Sequence, residues 1–125
     1  MRGKNTEAES AYRESLALRE KLNDGDQPTL AMTMNGLGQH LFREGKLRES
    51  ESLIRRGLDI RRRIGDHGYA YASSLLDLGN VLAAQGRLPE AEATDREGLA
   101  LLEKFVEPDD HRLVEARQQL ARVTR

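Results

Sequence analysis

The chain has 125 residues and a mass of 14.1 kDa, with 38% hydrophobic and 33% charged residues, which suits one domain. Its 20 Lys and Arg against 21 Asp and Glu leave a net charge of -1, so charge gives no reason to expect nucleic acid or an anionic membrane as partner. Zero cysteines exclude disulfides, thiol catalysis and thiolate metal sites; with no signal-like start and no run of roughly 18 apolar residues, a cytoplasmic location is expected.

Aromatic residues are only 4% of the chain, thin for a sheet protein, while the strong helix formers Leu, Ala, Glu and Arg dominate. An all-α fold is expected, with helices near 8–22, 29–44, 47–64, 70–85, 88–105 and 111–123. The first carries Ala8, Tyr12 and Leu16 on one face. In the second, Leu30, Met34, Leu37 and Leu41 recur at spacings of four, three and four. Gly45 supplies the turn into a third helix whose stripe is Leu47, Ser50, Ile54, Leu58, the stem of Arg61, and Ile64. The fourth repeats the pattern with Leu75, Leu78 and Leu82, and Gly86 turns the chain into the fifth. That helix carries Leu88, Ala91, Leu99, Leu102 and Phe105 on its stripe. Asp109 and Asp110 precede the sixth as an N-cap and its neighbour.

The second pair of helices copies the first. At an offset of 41, Ala31 meets Ala72, Leu37-Gly38 meets Leu78-Gly79, Gly45 meets Gly86 and Gly57-Leu58 meets Gly98-Leu99, among 11 identities in 36 pairs. An offset of 42 aligns Arg13 with Arg55 and Leu16 with Leu58, and carries Leu78-Gly79 onto Leu120-Ala121. A mid-helix glycine costs about 1 kcal/mol relative to Ala, so its recurrence in register predicts helices crossing too closely for a side chain. Units of this kind stack. The chain divides into a half repeat at 8–22, full repeats at 29–64 and 69–105, and a half repeat at 111–123, with 1–7 and 124–125 as flexible ends. Such a stack begins and ends mid-repeat, as a fragment of a longer array would, or as a chain whose ends meet a partner.

Leu37-Gly38, Leu41, Gly45, Leu47, Ser50-Glu51, Ile54 and Gly57 resemble the tetratricopeptide repeat, as do Leu78-Gly79, Leu82, Gly86, Leu88, Ala91-Glu92 and Gly98. The longer period, the stretch Gly86-Arg87-Leu88-Pro89-Glu90-Ala91-Glu92 and the linkers at Asp66-His67 and Asp110-His111 resemble the 42-residue variant of kinesin light chains. The resemblance implies a right-handed superhelix whose first helices line a concave groove. Asp95 departs from the pattern: it stands where Tyr12 and Ile54 do, and is expected to reach solvent or pair with Arg96 or Arg55.

No nucleophile pairs with a base, no glycine pattern cradles phosphate, and His40, His67 and His111 show no metal-ligand spacing. No enzyme activity, catalytic residue, cofactor or metal is expected. The run Arg55, Arg56, Arg61, Arg62 and Arg63 is a solvated face with intrahelical pairs or a contact for an acidic segment. The binding candidates lie where the resemblance puts the groove: Met32, Asn35, Gln39, Phe42 and Arg43, then Ser73, Leu76 and Asn80, then Glu115, Gln118 and Arg122. Their amides suit a peptide backbone, while Arg43 and Arg122 alone are too few basic groups for a carboxylate clamp. Two functions stay open: a scaffold holding a protein or peptide, or a self-assembling module. The second would form a homodimer through open ends at Leu16, Leu18 and Leu22 or at Leu113, Val114 and Leu120. No nucleic-acid or membrane partner is expected.

Overall fold

Stripes of apolar residues three and four apart can only be buried if helices pair along them. The computed structural model describes residues 2–22 and 27–124; for residues 2–5, Arg19 and Leu22 it describes the backbone alone. The helices are α1 (Arg2–Leu22), α2 (Gln27–Arg43), α3 (Leu47–Arg63), α4 (Tyr69–Ala84), α5 (Leu88–Leu102) and α6 (His111–Val123). They form two compact units, Met1–Gly65 and Asp66–Arg125. Among the described residues no helix is long and apolar enough to cross a membrane.

In the first unit α2 packs on α3 and on α1. Ala31, Met34, Leu37 and Leu41 of α2 meet Leu53 and Ile60 of α3, with Tyr12, Leu16 and Leu30 packed against them. The α2–α3 turn closes at Gly45, whose φ of 80° is the left-handed conformation that ends a helix. Around it the Lys46 N–H donates to the Leu41 carbonyl at 2.9 Å, and the Gly45 N–H to that of Phe42 at 3.0 Å. The crossing predicted at Gly38 is present. A Cβ there would lie 2.7 Å from Ile54 Cγ1, and the Ser50 hydroxyl donates to the Gly38 carbonyl at 2.6 Å.

The second unit pairs α4 with α5 and sets α6 against both. Ala72, Leu102, Leu113 and Ala116 are buried together, flanked by Leu76, Leu99, Leu101 and Val106. Gly86, with φ 79°, repeats the turn of Gly45. Asp110 caps α6 by accepting from the Arg112 backbone N–H at 2.9 Å.

Some boundaries differ from those expected. The first helix runs back to Arg2, into the stretch expected as a flexible end. The fifth stops at Leu102: the Glu103 N–H still reaches back four residues to Leu99, but the two that follow reach back only three, Lys104 to Leu101 and Phe105 to Leu102. That tighter winding turns Phe105 outward, 47% exposed, and brings Val106 onto the core in its place. Of the apolar residues expected to lie open, Leu113 is buried and Leu120 half-buried, whereas Val114 is 44% exposed. Leu16 is half-buried on the first core, Leu18 is 59% exposed, and the Leu22 side chain lies outside the described residues.

Candidate functional site

In the second unit, Tyr69, Ser73, Leu76 and Asn80 follow one another at spacings of four, three and four and so share one face of α4. Opposite them, Arg112, Glu115, Ala116 and Gln119 share a face of α6. The two faces line a cleft of about 190 Å³, which Asp77 of α4 and Leu102 of α5 also line. It is amphipathic. Leu76, Ala116 and Leu102 give apolar surface, Ser73, Asn80 and Gln119 give hydroxyl and amide groups, and Asp77 and Glu115 bring carboxylates from opposite helices.

The Arg112 guanidinium at the same cleft is held on two sides. Its Nε and Nη2 donate to the two oxygens of Asp110 at 2.9 and 2.7 Å, and its Nη1 donates to the Tyr69 hydroxyl at 3.0 Å. The guanidinium carbon also lies 5.1 Å from the Tyr69 ring centre. The side-chain bonds from Arg112, with its backbone N–H, hold the Asp110 carboxyl well below the usual range; the Asp110 bond raises Arg112 in turn.

Gln119 joins all three helices. Its Nε2 donates to the Leu76 carbonyl and to Asp95 Oδ1, each at 2.7 Å. Asp95 corrects an expectation: it neither reaches solvent nor pairs with an arginine. It is 0% exposed, Arg96 is bonded to Glu92, and Arg55 to Glu51. The reason is a paired change of size. Tyr12 and Asp95 hold equivalent positions, and 83 residues separate Gly36 from Gln119 just as they separate Tyr12 from Asp95. In the first unit the Tyr12 ring fills the space over Gly36, where a Cβ would lie 2.9 Å from Cε1. In the second the short acid leaves that space, and Gln119 reaches into it. Asp95 also lies over Gly79, as Ile54 lies over Gly38: a Cβ on Gly79 would come 1.7 Å from Asp95 Oδ1. Burial pushes the Asp95 carboxyl up from 3.8 to about 6, against the opposing bond from Gln119. Its Oδ2 is buried with no hydrogen-bond partner among the described residues.

In the first unit, the α2 candidates include Met32, 60% exposed, and the exposed Arg43, with Asn35, Gln39 and Phe42 half-buried. Glu9, His40 and Glu44 bring potential metal-ligating atoms within 4.8 Å of one another. A cation already stands among them. Lys46 Nζ is 3.1 Å from Glu9 Oε1 and 3.8 Å from Glu44 Oε1, while Arg13 Nε takes the other Glu9 oxygen at 2.8 Å. The bonds from Arg13 and then Lys46 hold the Glu9 carboxyl down at about 2. The cluster therefore reads as an ion-pair network. The arginine run of α3 is paired as well: Arg55 with Glu51, Arg56 with Glu20, and Arg62 with Asp59.

Of the sequence candidates, the cleft brings together Ser73, Leu76, Asn80 and Glu115; Gln118 and Arg122 lie on α6 outside it. Sequence reasoning missed Tyr69, Asp77, Arg112 and Gln119. Tyr69 lay within reach, four residues before Ser73 on the same stripe. The phase of α6, which selects Gln119 over Gln118, had too few repeated residues to set it.

The family model described as Tetratricopeptide repeat matches residues 1–63 and again 29–104. No curated protein sequence matches. Solved structures with the same fold include two of a Podosopora anserina kinesin light chain protein with nearly identical TPR-like repeats, one of them a point variant. Each is 18% identical, with TM-scores of 0.87 for the variant and 0.86 for the other, over 98% of this chain and 58% of theirs. BtubC (BKLC) from P. vanneervenii is also 18% identical, with a TM-score of 0.83 over 97% of this chain and 49% of its own. The chain thus spans between 49% and 58% of the length of these structures.

Proposed function

The chain belongs to the tetratricopeptide repeat family, and we propose that it is a protein-interaction scaffold whose units each offer first-type helices to a peptide or partner domain, α2 in the first unit and α4 with α6 in the second. The observation that carries this is the α4–α6 cleft, whose lining combines amides and hydroxyls with apolar side chains. An amide side chain both donates and accepts, so it can pair with a peptide backbone whatever the sequence. Met32 and Phe42 on α2 offer further apolar contact. The test is to measure binding of an affinity-captured partner to Asn80→Lys and Phe42→Ala variants whose melting is unchanged. Loss with either variant is expected; full binding by both would refute the proposal.

A second reading, self-association, rests on Leu18 and Val114, exposed on helices at the two ends of the repeat series. Covering such residues with a second copy would remove apolar surface from water.

A further inference from the structure

A carboxyl group without solvent exposure that ties one helix to two others couples the packing of those helices to pH. Asp95 is such a group. It lies over the Gly79 backbone of α4, its Oδ1 accepts from the Gln119 amide of α6, and its buried Oδ2 has no hydrogen-bond partner among the described residues. As a neutral acid it carries no charge into this setting; as a carboxylate it lacks the water that a buried charge needs. Among the described residues, burial and the opposing Gln119 bond alone set its position at about 6. The charged groups on the faces turned to it agree. Three or four positions from Gly79, α4 carries Leu75, Leu76, Leu82 and Ala83. On α5 Glu92 shares the face of Asp95 and is bonded to Arg96, and on α6 Glu115 and Arg122 share the face of Gln119, both exposed.

Water reaches Asp95 at least cost by lifting α6. The helices α4 and α5, joined by the tight turn at Gly86, bury the larger apolar set, Leu75, Leu78, Leu82, Ala91 and Leu102 among them. The buried residues of α6 are Leu113, Ala116 and Val123. We infer that Asp95 makes α6 a proton-sensitive latch: while the acid is neutral α6 stays seated on α4 and α5 and the cleft is whole, and once ionised the carboxylate takes up water by letting α6 lift. The hold on α6 is complete below pH 3.8 and weakens as the pH rises through about 6. Lifting takes Arg112, Glu115 and Gln119 away from the cleft and bares Leu76 and Leu102. The latch needs no ligand, so it stands or falls apart from the scaffold proposal.

Hydrogen exchange of backbone amides, read by NMR from pH 4 to pH 7 and divided by the rates of unstructured peptides, gives an opening constant for each helix. The amides from Ala116 to Leu120 in α6 should open more often than those from Leu78 to Leu82 in α4 at every pH. Their opening constant should rise about fiftyfold between pH 4 and pH 7, the factor required by a carboxyl at about 6 when α6 is seated and 3.8 when it is hydrated. In Asp95→Asn, shown folded by circular dichroism, the rise should shrink to less than about threefold. A rise that persists undiminished in that variant would assign it to another group and overturn the proposal, as would an α6 opening constant that stays flat in the parent. One opening constant common to α6 and α4 would overturn it as well, because Asp95 would then meet water only when the whole unit unfolds. That comparison uses the parent alone and decides even if Asp95→Asn fails to fold.

Discussion

Replacing Asp95 with Asn removes a charge from a site without solvent exposure while keeping the oxygen that accepts from Gln119. The carboxyl is raised from 3.8 to about 6, and one pH unit corresponds to about 1.4 kcal/mol, so holding it ionised in the folded chain costs about 3 kcal/mol. The sign follows from the direction of the shift. Stability from the protonated acid is fully present below pH 3.8 and is lost as the pH rises through about 6. The parent should therefore gain up to about 3 kcal/mol relative to Asp95→Asn on going from pH 7 to pH 4. Glu9, held at about 2, acts in the opposite sense, and its contribution falls away as the pH drops below 4.5. It is common to both proteins and cancels in the difference. Urea unfolding followed by circular dichroism at several pH values measures that difference, and the carboxyl carbon resonance of Asp95 gives its titration directly. A parent–variant difference that stays flat from pH 4 to pH 7, or an Asp95 resonance titrating near 3.8, would refute the reasoning.

Gly79→Ala should destabilise by about 1–3 kcal/mol, since its Cβ would fall 1.7 Å from Asp95 Oδ1; adding Asp95→Ala should recover most of the loss in thermal melting. Gln119→Leu removes the donor to the Asp95 carboxylate and should cost about 1–3 kcal/mol at pH 7. Its pH dependence should be steeper than the parent's, and an unchanged one would show that Gln119 only fills space. For self-association, sedimentation equilibrium at several tens of micromolar should give twice the 14.1 kDa chain mass, and Leu18→Lys should return the single mass. A parent that stays at one chain mass with rising concentration removes that reading.

The helix pairs were legible because their signals are local and repeated: stripes such as Leu30, Met34, Leu37 and Leu41, and turn glycines 41 residues apart. Gly38 and Gly79 were legible as crossings because a mid-helix glycine recurring in register needs a geometric cause. The environment of Asp95 was not. Its partner stands 24 residues away on another helix, and only the packed structure tells Gln119 from Gln118. The signal was nonetheless in the register: an undersized residue at the position of Tyr12 is matched by an oversized one at the position of Gly36. The cleft was half legible, because Ser73, Leu76 and Asn80 follow from the phase of α4, whereas Arg112 had to be seen bonded to Asp110 before its charge could be discounted.

Related units in tandem are open to unequal recombination, which joins the front of one repeat to the back of another. The matched sizes in the two units act against it. A joint that set α1 against α6 would press the Tyr12 ring into the Gln119 side chain. The reverse joint, α5 against α2, would leave the Asp95 carboxylate facing Gly36, which has no side chain with which to donate to it. Either product would carry a clash or an unbonded buried acid at the new boundary. The interfaces thus work as keyed joints, which fix the order of the repeats as well as their contact.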